Sequence, residues 1–288
     1  MPLRTALAPA KVNLFLHVGP LQPDGYHPLV SLVAFADIGD RLSATPADRL
    51  SLTVDGAFAG ALEGEADNLV LRVLRRLGEA AGCGEPPLAI RLDKRLPVAA
   101  GLGGGSADAG AALKLARDAL CLALDEGDLA RIAGGVGADG PMCLYARAAW
   151  AEGRGERLTF EPSLPRLPAL LVNPGVASPT GAVYRAFDAG PPSAADRPAP
   201  PSDWSPGAVL DWLGEQRNDL QAVAVALQPR IGEALAEVAA LPGARLVRMS
   251  GSGATVFALF DSQSAATAAA ATLRGRRPGW WIAPTILA

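Results

Sequence analysis

The order of apolar and polar residues along the chain predicts a mixture of strands and helices. Residues 10–19 alternate with the period of two that is typical of a strand, with Val12 on one face and Asn13 on the other. Residues 68–81 instead show helical spacing, and Asn68 stands at the N-cap end of that helix. Further strands are predicted over residues 29–47, 50–56 and 88–97, and further helices over residues 106–123 and 125–137.

The same mixture restarts at about residue 156. Strands are predicted over residues 167–175 and 244–261, helical segments near residues 205–240, and a late helix over residues 262–276. No internal repeat is found. The chain is therefore predicted to be α+β or α/β with two lobes, residues 1–155 and residues 156–288.

A segment rich in proline, serine and aspartate, residues 189–206, interrupts the second lobe. This composition is typical of a mobile surface loop, and a proline-motif docking site is the less favoured alternative.

Composition narrows the class of protein. Of the 288 residues, 50% are apolar and 19% are charged, and the net charge is −3, so a globular chain is expected without the large cationic surface that nucleic acids or anionic membranes require. Three widely spaced cysteines without a CxxC pair argue against structural zinc and a disulfide framework, and they fit a reducing cytoplasm. Lys11 and Asn13 interrupt the apolar N-terminal residues, so neither a signal peptide nor a membrane helix is predicted.

The stretch "RLPVAAGLGGGSADAGAAL", residues 95–113, places five glycines within ten positions at the start of a predicted helix. Glycines there let an anion approach the unpaired amides and positive dipole end of the helix, which makes a phosphate cradle. Ser106 adds a hydroxyl, and Asp108 is predicted in the first turn. The alternative, a tight strand-to-helix connection, needs only one or two glycines. The pattern is neither a Walker loop nor a dinucleotide fingerprint.

This stretch resembles the glycine motif of the GHMP small-molecule kinases, "PAKVNLFLHV" resembles their N-terminal motif, and "MSGSGATVFALF" resembles their C-terminal glycine motif. The similarity extends in order over roughly residues 8–260. It implies a lobe like ribosomal protein S5 domain 2, a ferredoxin-like second lobe, and an active site in the cleft between them. It also implies ATP and Mg²⁺ as cofactors.

The resemblance assigns catalytic roles to Lys11 and Asp139. Asp139, in "GADGP", would accept the proton of the substrate hydroxyl, and Lys11 would keep it ionised and polarise the acceptor oxygen. From the residues alone, Asp139 is equally well an ordinary turn or N-cap aspartate, and Lys11 an edge-strand or snorkelling lysine. Departures from the family pattern occur at Gly140 and Met142–Cys143, and at Ala99 and Ala100 before the glycines.

For the nucleotide, the resemblance implies residues around the glycine motif and on the adenosine side: Asn68, Lys94, Pro97, Gly101, Leu102, Gly103, Gly104, Gly105, Ser106 and Gly253. The alternatives for two of them are a helix cap (Asn68) and a surface lysine (Lys94). Asn218 and Asp219 match a block interpreted as scaffolding between the lobes. The residues that bind the metal are not identified.

For the acceptor, blocks such as "PDGYHPL" and "NPGVASPT" are similar to the branch of the family that phosphorylates a sugar alcohol carrying cytidine diphosphate. The implied binding residues are Asn13, Tyr26, His27, Asp139, Pro179, Thr180 and Tyr184. A base stacked between two tyrosine rings gains contact area at low entropic cost. The alternatives are a turn histidine at His27 and a core aromatic residue at Tyr184.

The resulting hypothesis is an ATP-dependent, cytoplasmic kinase of non-mevalonate isoprenoid precursor biosynthesis that acts on the C2 hydroxyl of that sugar alcohol. Its only partner would be the small-molecule substrate, and a monomer or weak homodimer is expected. The alternatives are a homoserine- or mevalonate-type GHMP kinase and a non-catalytic nucleotide-binding regulator. A dinucleotide-dependent oxidoreductase is less favoured, because the glycine pattern does not match its fingerprint.

Overall fold

A computed structural model describes residues 3–62, 68–191 and 194–288. The strands are β1 (Arg4–Asn13), β2 (His17–Val18), β3 (Leu29–Pro46), β4 (Ser51–Asp55), β5 (Leu88–Asp93), β6 (Ala149–Gly153), β7 (Arg157–Phe160), β8 (Leu167–Asn173), β9 (Leu246–Met249), β10 (Val256–Leu259) and β11 (Trp281–Leu287). The helices are α1 (Leu69–Ala81), α2 (Gly104–Ala119), α3 (Glu126–Gly134), α4 (Gly140–Tyr145), α5 (Thr180–Asp188), α6 (Pro206–Gly214), α7 (Gln221–Leu227), α8 (Pro229–Ala239) and α9 (Gln263–Arg276), with a 3₁₀ turn at Ala59–Leu62.

Most predicted elements are confirmed, with ends that differ by a few residues. The strand predicted over residues 10–19 is wrong in its middle, because β1 ends at Asn13 and β2 begins only at His17. Between them the amide of Leu14 donates to Leu32 O (2.9 Å) and that of Leu16 to Arg217 O (2.9 Å). Residues 11–19 are buried on both faces, and the alternation of residue types continues through the bend. The sequence pattern therefore did not indicate where β1 ends.

Local sequence sets the ends of α1 and α2. The Asn68 side chain caps α1 by accepting from the Val70 amide (2.9 Å), as predicted, and Gly82 ends that helix in the left-handed conformation. Helix α2 begins at Gly104, two residues before the predicted start. Asp108 therefore lies beyond the first turn, which corrects its predicted position.

The first compact unit comprises the described residues of Met1–Ala10, Ile38–Val98 and Gly103–Ala146. Here β5 pairs antiparallel with the second half of β3 and parallel with β4. Helix α1 buries Val73, Leu74 and Leu77 on one face and packs against α2, which also contacts α3 and α4. Helix α2 thus packs against three neighbouring helices and contacts β5 of the sheet.

The second compact unit comprises Lys11–Asp37, Ala99–Leu102 and the described residues of Arg147–Ala288. Strand β8 lies between β10 and β11, antiparallel to both, and β9 extends this sheet beyond β10. β6 pairs with the first half of β3, and β7 pairs with β6. Both units are discontinuous in sequence, whereas the prediction was of two continuous lobes, residues 1–155 and 156–288.

The described residues of the proline-rich segment lie at the surface, as its composition predicted, and they are also bonded to the rest of their unit. Three of its carbonyls accept side-chain hydrogen bonds from the same unit: Ala194 from Arg217 (3.1 Å), Asp196 from His17 Nδ1 (3.3 Å) and Ala199 from Trp212 (2.9 Å). The Arg197 guanidinium also donates to Glu152 Oε2 (3.0 Å). Composition cannot reveal these contacts because their partners lie outside the segment. Residues 192 and 193 lie outside the described residues. In the described part of the chain, no helix has the length and apolar character needed to cross a membrane.

Candidate active site

The glycines of the motif have different structural roles. Gly103 precedes α2 with φ +63°, which favours glycine, and the amides of the following residues open the helix. A β-carbon on Gly110 would lie 2.8 Å from Leu144 Cα, so this glycine lets α2 pack closely on α4. The glycines at the helix start therefore form the candidate phosphate cradle, and Gly110 serves packing alone.

A buried charge cluster lies against the first residue of α2. Lys94 Nζ donates to Asp40 Oδ2 (2.5 Å) and to Asp108 Oδ2 (2.7 Å), and the three side chains are 3%, 0% and 3% exposed. A β-carbon on Gly104 would lie 3.1 Å from Lys94 Nζ. The alternative of a surface lysine is therefore wrong. We name this group the Asp40–Lys94–Asp108 cluster.

Burial shifts the proton affinities in this cluster. Desolvation raises the pKa of Asp108 to about 7; the nearby Lys94 ammonium lowers it, and the negative charge of Asp40 raises it again. Desolvation alone would lower the pKa of Lys94, but attraction to the two carboxylates outweighs it and the pKa is raised. Among the described residues, Asp108 Oδ1 finds no hydrogen-bond partner. Asp108 is thus the carboxylate to which a proton is most readily added.

Asp139 occupies the N-cap position of α4, but its side chain makes no capping bond. Its carbonyl accepts from the Cys143 amide (3.0 Å). The preceding turn lies near the glycine-rich helix, since a β-carbon on Gly137 would be 3.9 Å from Ser106 Oγ. The first unit therefore brings Ser106 close to the turn that carries Asp139.

Lys11 and Asn13 lie at the end of β1 in the second unit, so the structure assigns Lys11 and Asp139 to different units. Lys11 Nζ donates to Asn13 Oδ1 (2.7 Å), and Asn13 Nδ2 donates to Ser31 Oγ (2.8 Å). The Ser31 hydroxyl in turn donates to Phe15 O (2.6 Å). Lys11 is only 6% exposed, which does not fit a snorkelling or edge-strand lysine. This chain of bonds fixes the Asn13 amide with its oxygen towards Lys11.

Residues 99–102 meet the second glycine motif within the second unit. Ser250 Oγ donates to Gly101 O (2.9 Å), and the amide of Thr255 donates to Ala100 O (3.1 Å). Gly101 has φ +73°, and a β-carbon there would lie 2.3 Å from Ser250 O. Ala99 has φ +52°, so an alanine stands where glycine would be less strained. The turn at residues 250–253 therefore supports the start of the glycine-rich stretch.

The implied acceptor residues other than Asp139 also lie in the second unit. The Tyr26 ring is exposed, with the Arg154 guanidinium 4.1 Å from its centre. The rings of His27 and Tyr184 are 5.1 Å apart, so Tyr184 lies beside the histidine. Thr180 Oγ1 is 2.9 Å from Ser252 Oγ, and Pro179 immediately precedes α5.

Asp188 Oδ1 lies 3.1 Å from His27 Nε2. The sequence did not indicate several such partners, because each lies at a distance along the chain from the residue it contacts: Asp40, Ser31, Ser250, Arg154 and Asp188. Asn218 was interpreted as scaffolding between lobes. Its side chain instead donates to Met249 O and Gly251 O (2.8 Å each), which holds the second glycine turn within one unit.

The described residues contain no group of three or more His, Cys, Asp or Glu side chains arranged to hold a metal ion. The orphaned oxygen of Asp108 belongs to a carboxylate already bound to Lys94. The side chains of the described residues therefore do not fit a protein-built magnesium site.

Comparison with known families identifies the family of the chain. The GHMP kinases N terminal domain family matches residues 68–147, and the GHMP kinases C terminal family matches residues 206–277. Homoserine kinase from Cytophaga hutchinsonii has the same fold, with a TM-score of 0.69 at 18% identity. The two family models together cover more than half of the chain, so the chain is a GHMP kinase, and the predicted fold class is confirmed.

Proteins with higher sequence identity to this chain identify its branch of the GHMP kinases. A 4-diphosphocytidyl-2-C-methyl-D-erythritol kinase of Caulobacter vibrioides (strain NA1000 / CB15N) is 53% identical over 96% of this chain and 97% of its own. The kinase of that name from Methylobacterium radiotolerans is 50% identical over all of both chains. A crystal structure of 4-(cytidine 5'-diphospho)-2C-methyl-D-erythritol kinase matches with a TM-score of 0.78 and 36% identity over 99% of each chain. The chain belongs to the 4-diphosphocytidyl-2-C-methyl-D-erythritol kinase family.

Proposed function

We propose that this chain transfers the γ-phosphoryl group of ATP to the C2 hydroxyl of 4-diphosphocytidyl-2-C-methyl-D-erythritol, giving the 2-phosphate and ADP in non-mevalonate isoprenoid precursor biosynthesis. The observation that carries the proposal is the buried Lys11–Asn13 pair, which lies where the N-terminal motif meets Leu102 of the glycine-rich stretch. The proposal places the enzyme in the cytoplasm, as a monomer or weak homodimer that binds small molecules only.

The nucleotide would bind with its phosphates at the start of α2. Amides at a helix N-terminus favour anions, and Gly103 keeps side chains away from them. ATP use follows from membership of a kinase family, and Mg²⁺ would arrive bound to the ATP phosphates and neutralise part of their charge. The proposed nucleotide-binding residues are Asn68, Lys94, Pro97, Gly101, Leu102, Gly103, Gly104, Gly105, Ser106 and Gly253.

The acceptor hydroxyl would be activated by Lys11 and Asp139. As the bond from the hydroxyl oxygen to the γ-phosphorus forms, the bond from that phosphorus to the β–γ bridging oxygen breaks and ADP leaves. The hydroxyl proton passes to the Asp139 carboxylate, and the Lys11 ammonium stabilises the negative charge on the acceptor oxygen. Asn13 would hold the sugar-alcohol end, because its amide is already fixed by Lys11 and Ser31.

The cytidine end would bind at Tyr26, His27 and Tyr184, with Pro179 and Thr180 at the start of α5. One face of the Tyr26 ring carries Arg154, so the base would stack on the other face. A GHMP kinase for homoserine or mevalonate has no base to place here, and these aromatic residues therefore favour a cytidine-bearing acceptor.

The test is ADP release from Mg·ATP with and without 4-diphosphocytidyl-2-C-methyl-D-erythritol, using the wild type and Asp139→Asn. Acceptor-dependent release is expected, with kcat about 10²- to 10⁴-fold lower in the variant because the proton acceptor is lost. Asp118→Asn, an exposed substitution on α2, is the matched control and should retain full activity.

Other outcomes would contradict particular parts of the proposal. Full activity of the Asp139→Asn variant would contradict the role of Asp139 as proton acceptor but not the kinase activity itself. Release with homoserine or mevalonate but not with the cytidine compound would overturn the acceptor. Nucleotide binding without turnover on any of these alcohols would support a regulator.

A further inference from the structure

The Asp40–Lys94–Asp108 cluster links the residues on either side of the loop at residues 95–103, which is the part of the glycine-rich stretch before α2. Lys94 follows β5 and immediately precedes this loop, whereas Asp108 lies on α2, which follows it. The Lys94 ammonium binds the Asp108 carboxylate at 2.7 Å, so a single buried bond joins the entrance to the exit. Residues 95–103 form the connection between these two points.

Asp40 anchors this bond to the sheet. It is fully buried on β3, and its Oδ1 accepts from the backbone amides of Arg95 (2.6 Å) and Leu96 (2.8 Å), while Oδ2 accepts from Lys94. Asp40 thus has three donors. Asp108 has one, and its Oδ1 has no partner among the described residues. The two carboxylates are therefore unequal, and an added proton belongs on Asp108.

The charge of the cluster depends on that proton. One ammonium between two carboxylates leaves a net charge of −1, which becomes zero when Asp108 is protonated. The cluster lies against Gly104, the first residue of the helix whose N-terminus is the candidate phosphate cradle. Phosphates bound there bring more negative charge towards Asp108. Like charges disfavour ionisation, so bound phosphates raise the proton affinity of this carboxylate.

We propose that Lys94 and Asp108 are positioning residues for the nucleotide phosphates: the cluster holds together the residues on either side of the loop at residues 95–103, and Asp108 takes up a proton from solvent when the phosphates bind. The inference rests on the proposed function in placing a nucleotide at the start of α2. It assigns Lys94 an indirect role in nucleotide binding, since its ammonium is enclosed by carboxylates.

Calorimetric titration with a non-hydrolysable ATP analogue and Mg²⁺ tests the proton uptake. At pH 7, measurements in two buffers of different ionisation enthalpy give the number of protons taken up. Wild type is expected to take up more than Asp108→Asn, which mimics the protonated side chain. If binding raises the Asp108 pKa by one unit, Kd rises about fivefold more between pH 6 and pH 8 in wild type than in this variant. Protonation of the analogue itself contributes equally to both and cancels.

Asp118→Asn, the same substitution on an exposed part of the same helix, is the control and should match wild type. Equal proton uptake and equal pH dependence in wild type and Asp108→Asn would overturn the proton step. The titrations need neither acceptor nor turnover. A wild type that shows the uptake but phosphorylates no cytidine compound would therefore contradict the proposed acceptor and leave this inference standing, and a wild type that binds no nucleotide would contradict both.

The positioning role is tested with Lys94→Met/Asp108→Asn, which removes the link without leaving Asp108 as a buried unpaired charge. The expected result is a KM for ATP about tenfold higher with kcat nearly unchanged, because the amides are less well placed while the reacting groups remain. If the single variant Lys94→Met does not fold, the KM of the double variant for ATP still tests the positioning role. An unchanged KM for ATP would overturn the positioning role.

Discussion

The Nε2 atom of His27 lies 3.1 Å from Oδ1 of Asp188. On the other side of the ring, Nδ1 lies 2.8 Å from Gly19 O, which can only accept a hydrogen bond. The orientation of the imidazole is thus fixed from both sides. Asp188 and Tyr184 are four residues apart on α5, so one helix supplies both the carboxylate and the ring beside His27.

Asp188→Ala is expected to raise the KM for the cytidine-bearing acceptor about threefold to tenfold, with kcat nearly unchanged. The substitution removes one partly exposed, charge-assisted bond that holds the His27 ring, and the reacting groups are untouched. Steady-state kinetics with varied acceptor measure this. Asp211→Ala, an exposed carboxylate on α6, is the control, and an unchanged acceptor KM in Asp188→Ala would contradict the role of this pair.

Ser31→Ala is expected to lower the free energy of unfolding by about 1–3 kcal/mol, because the buried Asn13 Nδ2 loses its acceptor. The freed amide should also turn more easily away from Lys11, so activity should fall at a temperature where the variant remains folded. Urea unfolding and ADP release measure the two effects. Ser51→Ala, at an exposed position of β4, is the control and should change neither stability nor activity. Equal stability of Ser31→Ala and wild type would contradict the contribution of the Asn13–Ser31 hydrogen bond.

Gly101→Ala and Gly25→Ala form a matched pair. Both glycines have positive φ, but a β-carbon on Gly101 would lie 2.3 Å from Ser250 O, and one on Gly25 would meet nothing within 4 Å. Gly25→Ala is expected to cost about 1 kcal/mol of stability from the backbone conformation alone. Gly101→Ala should cost about 2–4 kcal/mol, since overpacking against a carbonyl is added. Denaturant unfolding measures both losses of free energy. Equal losses in the two variants would contradict the close approach of Ser250 O to Gly101.

Asp108→Asn is expected to stabilise the protein in a pH-dependent way. The pKa of Asp108 is raised to about 7 when folded, so between about pH 4 and pH 7 the folded chain holds a proton that the unfolded chain has lost. The stability from this proton is complete below pH 4 and is lost as the pH rises to 7. Asparagine is neutral at every pH in this range and does not titrate. The free energy of unfolding of the variant should therefore exceed that of wild type by an amount that grows by at most about 1.4 kcal/mol per pH unit between pH 4 and pH 7 and then stays constant.

Urea unfolding at pH 4.5, 6 and 8 checks this prediction. Asp118→Asn, which alters an exposed carboxylate, should show no such growth. A difference between Asp108→Asn and wild type that shrinks as the pH rises would contradict the raised pKa.

The elements predicted from sequence succeeded where local rules dominate. Helix α1 has an N-cap asparagine, a C-terminal glycine and a single apolar face, so its bounds follow from residues 68–82 alone. The short helices α4 and α5 and the final strand β11 were not predicted. They are short or lack clear periodicity, and neighbours distant in sequence stabilise them: β11, for example, pairs with β8 along its whole length.

The sequence by itself determined the fold class, the family and the glycine-rich start of α2, because these depend on motifs whose residues are close together along the chain. Only the tertiary structure decided which groups surround those motifs. It buried Lys94 between Asp40 and Asp108, 54 and 14 residues away, and it joined the backbone amide of Asn13 to the Ser250 hydroxyl, 237 residues away. The physical reason is that burial turns ordinary polar side chains into obligatory partners, and which partner each one meets depends on packing rather than on sequence distance.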